Sequence, residues 1–181
     1  MRNDEAQVAR PGRLSQDNPV IHLVKVLSKS PEETTELGKI LGCILTGGDV
    51  VALTGTLGAG KSVIARGILR TLGVEGDIPS PTFVLVAQYE GRVPVNHIDF
   101  YRLGSRDEAL GLGLEDLLGG DSVSVMEWAD RIEGLLPDAR YDVVLEPGAG
   151  TDDRLITIKS PDPILRKRLM VMGKQLEGFG L

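Results

Sequence analysis

The sequence is poor in aromatic residues, cysteine and positive charge. Aromatics make up only 4% of the 181 residues, which argues against a stacking platform for nucleic-acid bases. The formal net charge is −6, the wrong sign for non-specific nucleic-acid binding by a basic surface. Any contact with RNA is therefore expected through a partner. Cys43 is the single cysteine, so an internal disulfide and a cysteine-based zinc cluster are both excluded. Set among Ile40, Leu41, Ile44 and Leu45, it reads as a buried structural thiol and not as a nucleophile. No apolar run approaches the ~20 residues that span a bilayer, and no secretory apolar segment opens the chain. No membrane association is expected, and the cytoplasm is the expected compartment. The guanine-reading N-K-x-D and T-K-x-D patterns are missing, as are the protein-kinase H-R-D and D-F-G sets. Adenine is thus favoured over guanine for any nucleotide.

What is present is organised around residues 49–70, DVVALTGTLGAGKSVIARGILR. Residues 50–53 form an apolar run that reads as a buried parallel strand. It leads into Gly55-Thr56-Leu57-Gly58-Ala59-Gly60-Lys61-Ser62, which fits the phosphate-loop spacing G-x-x-x-x-G-K-[ST]. Glycines have no Cβ to block a ligand and adopt backbone angles closed to other residues. Several peptide N–H groups can then face one anion, and a helix starting at the loop adds its positive end. Lys61 offers a point charge to the β- and γ-phosphates, and the Ser62 hydroxyl is suited to Mg²⁺. Val63, Ile64, Gly67, Ile68 and Leu72 follow on helical spacing. The expected nucleotide-binding residues are Gly58, Ala59, Gly60, Lys61, Ser62 and Val63.

Around this stretch the pattern predicts a single α/β domain over residues 20–181 with a flexible tail at 1–19. Residues 20–27 read as a strand, and His22 within it as a surface or edge residue. Ser30-Pro31-Glu32-Glu33 is a capping box with proline at the first helical position; the helix it opens runs to Gly47-Gly48. Residues 83–89 and 93–99 read as a hairpin. Residues 105–118 have helical character weakened by Gly111 and Gly113. Residues 122–126 form an apolar strand ending in Glu127-Trp128, and a short helix follows over 129–136. Residues 141–145 and 154–158 read as strands joined at Pro147-Gly148. A last helix spans 162–177 and exposes Arg166, Lys167, Arg168 and Lys174.

A nucleotide site of this kind needs a carboxylate at the end of a neighbouring strand to hold Mg²⁺, directly or through water. Glu127 and Asp99 are both acids where an apolar strand runs out. Glu127 is favoured as the metal residue because SVSVM is the more uniformly apolar run; Asp99 then positions the attacking water or a switch segment. Thr82 is a candidate γ-phosphate sensor, although its spacing equally fits a threonine that starts a strand. Trp128, the only tryptophan, reads as a pocket wall or as a core residue. His97 reads as structural.

Four stretches in order carry a family resemblance: Leu57-Gly58-Ala59-Gly60-Lys61-Ser62, Ser80-Pro81-Thr82-Phe83, His97-Ile98-Asp99-Phe100-Tyr101-Arg102 and Met126-Glu127-Trp128. Over residues 30–158 the sequence resembles the TsaE family, the bacterial ATPase subunit of tRNA threonylcarbamoyladenosine biosynthesis. The resemblance implies a phosphate-loop NTPase with a central mixed, mostly parallel β-sheet flanked by helices. It implies ATP and Mg²⁺ as cofactors and slow ATP hydrolysis. It also implies two partners, the threonylcarbamoyltransferase subunit and its inactive homologue. With them the family modifies the adenosine next to the anticodon in tRNAs reading A-starting codons, so tRNA is met through the complex. By position, Lys61 matches the phosphate lysine, Ser62 the Mg²⁺ hydroxyl and Glu127 the second metal residue. Asp99 matches the acid of hydrolysis, Thr82 the switch-like threonine and Trp128 the tryptophan beside the metal acid. Val63 stands where a second threonine is common, so that hydroxyl contact is lost. Family position also implies that residues 30–34 and the turn before Arg154 lie near the base.

Two other readings stand beside this one. A non-enzymatic module would use ATP only to order a partner surface. A small-molecule kinase would need an acceptor site and lid, for which residues 104–120 are the one candidate, and they are more acidic than basic.

Overall fold

The computed structural model describes residues 23–179; the expected tail at 1–19 and His22 lie outside the described residues. The elements run β1 (Leu23–Ser28), α1 (Pro31–Ile44), β2 (Val50–Thr54), α2 (Lys61–Thr71), β3 (Val86–Tyr89), β4 (Val95–Asp99), α3 (Arg106–Leu110) and α4 (Leu114–Leu117). They continue with β5 (Val123–Glu127), a 3₁₀ segment (Ala129–Leu135), β6 (Tyr141–Pro147), β7 (Arg154–Lys159) and α5 (Pro163–Phe179). The strands form one seven-stranded sheet in the order β1-β7-β6-β2-β5-β4-β3. The centre, β6-β2-β5-β4, is parallel, and antiparallel strands close both edges. This is the α/β class expected from the sequence.

The apolar run of β2 is buried on both faces, as a central parallel strand requires. Val51 and Leu53 enter a core with Ile64 and Ile68 of α2 and Leu37 and Leu41 of α1. Val50 and Ala52 point the other way, into a second core with Ile98, Phe100, Met126 and Ile132. Helices α1 and α2 meet backbone to backbone. A Cβ on Gly38 would strike the carbonyl oxygen of Ile64, and one on Gly67 would strike that of Thr35. Close helix contact thus fixes where α2, and so Lys61 at its first turn, sits against the sheet.

The start of α1 is capped as its sequence demands. Ser30 Oγ accepts from Glu33 N at 3.2 Å, and Glu33 Oε2 accepts in return from Lys29 N at 2.6 Å. The helix ends earlier than the glycine pair implies, at Ile44, with Leu45 extended. At the other end of the chain, Asp162 Oδ1 accepts from Ile164 N and Leu165 N at 2.7 and 2.9 Å, opening α5.

Several expectations are corrected. Cys43 is exposed. It falls on the helix stripe of Glu32, Glu36 and Lys39, at three- and four-residue steps, and not on that of Leu37 and Leu41. Arg166 and Arg168 are half-buried; Arg168 Nη1 pairs with Asp49 Oδ2 at 2.7 Å. The strand expected over 83–89 begins only at Val86. Val84 N and Leu85 N both donate to Pro81 O, which coils the chain before pairing starts. The helix expected over 105–118 is two short ones, because Gly113 takes a left-handed φ of 67° between them. These two helices pack through Ala109 and Leu114 into the second core, so residues 104–120 are built into the body of the domain and do not form a free lid.

Candidate functional site

Strands β2, β4 and β5 run the same way, and their registers pair Asp99 with Glu127 and Leu53 with Glu127. Both strand-end acids therefore reach the sheet edge from which the glycine loop leaves β2. This is the carboxyl edge, where ligands of open α/β sheets bind. A cavity of about 320 Å³ opens there. The loop and α2 line it with Gly58, Gly60, Lys61, Ser62 and Val63, and the far side carries Thr82, Asp99, Glu127 and Trp128. Of the residues singled out in the sequence, Ala59 alone is set apart. Its methyl is buried in the core, and its N–H donates to Thr56 O at 3.2 Å.

The loop turns into α2 at Gly60, whose φ of 100° is natural only for glycine. Lys61 begins the helix with its side chain folded back over the loop. Its Nζ donates to Gly55 O at 2.7 Å and Thr56 O at 2.9 Å and lies 3.5 Å from the centre of the Trp128 ring. Burial pushes the pKa of this ammonium down, opposed by the charges of Glu127, Asp130 and Asp99. A buried cation held by neutral carbonyls is ready to exchange them for an anion, since opposite charges at that separation in a partly buried site attract far more strongly than a charge and a carbonyl dipole.

Ser62 Oγ donates to Glu127 Oε2 at 2.6 Å. The other oxygen, Oε1, lies 2.8 Å from His97 Nε2. Among the described residues no cluster of three or more His, Cys, Asp or Glu side chains is positioned for a metal. The donors at this point are one hydroxyl and one carboxylate beside a phosphate loop. That set suits Mg²⁺, which keeps several waters and takes one or two protein oxygens along with phosphate oxygens. It does not suit a fully protein-caged ion.

Asp99 is held from three sides. Thr82 Oγ1 donates to its Oδ2 at 2.5 Å, Ser80 Oγ to the same oxygen at 3.3 Å, and Tyr101 N to Oδ1 at 2.8 Å. Two non-glycine residues with left-handed backbone flank this region, Leu85 at φ 65° and Trp128 at φ 59°. Such residues are held in place only when the surrounding structure dictates it, and they gather at functional sites. Leu85 follows the Ser80-Pro81-Thr82 turn, and Leu85 O accepts from Asp99 N at 2.9 Å. Trp128 turns the chain after Glu127 and sets its indole against Lys61.

Sequence reasoning passed over several residues here. His97, read as structural, touches Glu127. Ser80 and the Tyr101 backbone hold Asp99, and the Tyr101 ring lies 4.9 Å from that of Trp128, centre to centre. Arg154 Nη2 donates to Gly58 O at 3.2 Å and helps line a second hollow, of about 180 Å³, behind the loop. Pro31, Thr34, Gly58, Gly60, Val63 and Asp152 line the rest of it. Composition and spacing offer no handle on these contacts, except that Ser80 shares a motif with Thr82 and His97 and Tyr101 share one with Asp99; family position alone pointed to residues 30–34 and the turn before Arg154.

The family model for threonylcarbamoyl adenosine biosynthesis protein TsaE matches residues 28–156. The chain belongs to the TsaE family. It is 40% identical over 129 residues to the tRNA threonylcarbamoyladenosine biosynthesis protein TsaE of Bacillus subtilis, covering 71% of this chain and 80% of that one. The TsaE of Mycobacterium tuberculosis is 42% identical over 135 residues, 70% of this chain and 80% of its own. That of Treponema pallidum is 37% identical over 122 residues, 67% and 90% of the two chains. The crystal structure of Bacillus subtilis YdiB superposes with a TM-score of 0.75 at 30% identity, covering 86% of this chain and 97% of that one. As a TsaE-family member the chain has a part in tRNA threonylcarbamoyladenosine biosynthesis. No helix among its described residues is long and apolar enough to cross a membrane.

Proposed function

We propose that this TsaE-family protein binds ATP with Mg²⁺ at the carboxyl edge of its sheet and hydrolyses it slowly. The observation that carries this reading is the convergence of Lys61, Ser62, Thr82, Asp99 and Glu127 on one cavity at the mouth of the glycine loop. In this reading the loop N–H groups and Lys61 hold the β- and γ-phosphates. Ser62 Oγ and Glu127 Oε2 would hold Mg²⁺, which when bound neutralises charge that builds on the transferring phosphoryl group. The adenosine would occupy the hollow between Pro31, Thr34, Val63 and Arg154. Asp99 orients the attacking water once Thr82 turns from it toward the γ-phosphate. The three donors that hold Asp99 supply a reason for slow turnover, because a carboxylate so engaged must be released before it can accept a proton.

The hydrolysis serves the modification of the adenosine next to the anticodon in tRNAs reading A-starting codons. The protein acts with the threonylcarbamoyltransferase subunit and its inactive homologue, in the cytoplasm. The net charge of −6 fits a role in which tRNA is bound by the partners.

The test is reconstitution with the two partners, tRNA, ATP and Mg²⁺. Multiple-turnover modification should require this protein and fail with Lys61→Ala and Asp99→Ala, although Asp99→Ala still binds ATP. If Asp99→Ala supported full modification, ATP would only order a partner surface and the non-enzymatic reading would replace this one.

A further inference from the structure

Position 97 lies in the middle of a buried sheet face. Along β4, Val95, His97 and Asp99 share that face, and along β5 Val123, Val125 and Glu127 do. His97 pairs in register with Val125, and Val95, Val123 and Val125 are buried in the core under α2. An apolar side chain would pack there at no polar cost. Instead the imidazole is fully buried, and among the described residues its Nδ1 has no hydrogen-bond partner. Packing does not account for a histidine at this place. Among the described residues its one hydrogen bond is Nε2 to Glu127 Oε1 at 2.8 Å.

We propose that His97 is the positioning residue of the metal carboxylate: its Nε2–H donates to Glu127 Oε1 and so turns Oε2 toward Ser62 and the Mg²⁺ position. The inference rests on the proposed nucleotide and metal site and adds a residue to it. The tautomer follows from the surroundings. A carboxylate oxygen only accepts, so the 2.8 Å contact with Glu127 Oε1 calls for the proton on Nε2, and a neutral ring then carries none on Nδ1. Unpartnered Nδ1 is therefore the bare nitrogen, and Nε2 carries the proton that the carboxylate needs. Glu127 ends its strand, and its side chain has three torsions that the backbone alone does not fix. With Oε1 fixed by the ring and the backbone fixed by β5, only Oε2 remains for Ser62 Oγ at 2.6 Å. Partners behind a ligand commonly set metal affinity by about 10–100-fold.

Two measurements test this. The first is the long-range ¹H–¹⁵N spectrum of the wild-type imidazoles, readily assigned because the chain has two histidines. A protonated Nε2 on His97 supports the proposal, and a bare Nε2 overturns it. The second compares binding of a fluorescent non-hydrolysable ATP analogue with Mg²⁺ and with EDTA. His97→Leu should reduce the gain in affinity that Mg²⁺ confers by about tenfold or more, with the EDTA affinity unchanged. His97→Gln, whose amide nitrogen can reach the place of Nε2, should keep that gain within about threefold of wild type. A merely structural role would weaken binding in both conditions, and equal loss in His97→Gln and His97→Leu would overturn the assignment. If His97→Leu does not fold, the glutamine variant and the ring spectrum still decide. If wild-type protein binds no analogue at all, the nucleotide reading fails, and the ring spectrum alone decides the His97–Glu127 bond.

Discussion

Lys61 Nζ and the Trp128 ring are in direct contact, 3.5 Å from nitrogen to ring centre. The ammonium shields the chain's only indole on one face while Gly55 O and Thr56 O hold it from the other side. A triphosphate arriving in the loop offers charged oxygens in place of those carbonyls, so Lys61 should move and Trp128 emission should change. Titration with ATP and Mg²⁺ should give a saturable fluorescence change. Lys61→Ala should abolish it and lower turnover by roughly 10²–10³-fold, the usual loss on removing one preorganised charge-stabilising donor.

The 2.5 Å bond from Thr82 to Asp99 is the place where, under the proposed function, binding and hydrolysis should come apart. Asp99→Asn should leave ATP affinity within about threefold of wild type and lower turnover by about 10²-fold or more, the range for loss of a general base. Thr82→Val should leave ADP affinity unchanged and slow ATP hydrolysis. Calorimetric binding and phosphate release on the same samples check both. A large loss of ADP affinity in Thr82→Val would contradict a role confined to the γ-phosphate.

Gly67 lies where α2 crosses α1. Alanine is the better helix former by about 1 kcal/mol, yet its Cβ here would strike Thr35 O. Backbone cannot swing aside as a side chain can, so the clash should win and Gly67→Ala should cost about 1–3 kcal/mol. Urea denaturation checks the sign. Because the crossing also sets the start of α2, nucleotide affinity should fall with it.

Tyr141 is fully buried, and among the described residues its hydroxyl makes no hydrogen bond of good geometry, although the Arg168 guanidinium lies close by. Burial, with the charge of Asp49 next, pushes its pKa up to about 12, against an ordinary 10.0. The unfolded chain then loses the phenolic proton first. This contribution to stability is complete below the ordinary value and is lost as pH rises toward the raised one. Tyr141→Phe should be as stable as wild type near neutral pH, or more stable by up to ~1 kcal/mol, since the buried hydroxyl it removes has only the nearby Arg168 guanidinium and no well-formed hydrogen bond. It should also lack the part of the alkaline decline that wild type owes to this group. Denaturation curves at neutral and alkaline pH measure both effects.

Much of the fold could be read in the sequence because its signals are local. The apolar run of β2, the Ser30 cap and the loop glycines each act within a few residues. The expected site residues are spread over 71 positions, from Gly58 to Trp128, and two parallel strands deliver their acids to the edge where a third, β2, releases the loop. Strand-end placement alone made Asp99 and Glu127 candidates. What could not be read is tertiary. Cys43 is one helix step away from the buried stripe, and an apolar neighbourhood in sequence does not fix which face a residue takes. His97 looked like any polar residue on a strand until Glu127 of the adjacent strand came within 2.8 Å of it. The Pro81 turn overrides the strand propensity of Phe83 and Val84 through two backbone hydrogen bonds to a single carbonyl.

The most direct test is a crystal structure with a non-hydrolysable ATP analogue and Mg²⁺. The account predicts the triphosphate within the loop, Lys61 Nζ moved from Gly55 O and Thr56 O to phosphate oxygens, and Mg²⁺ on Ser62 with Glu127 beside it. An analogue bound elsewhere, or a loop unchanged with Lys61 still on its own carbonyls, would contradict it.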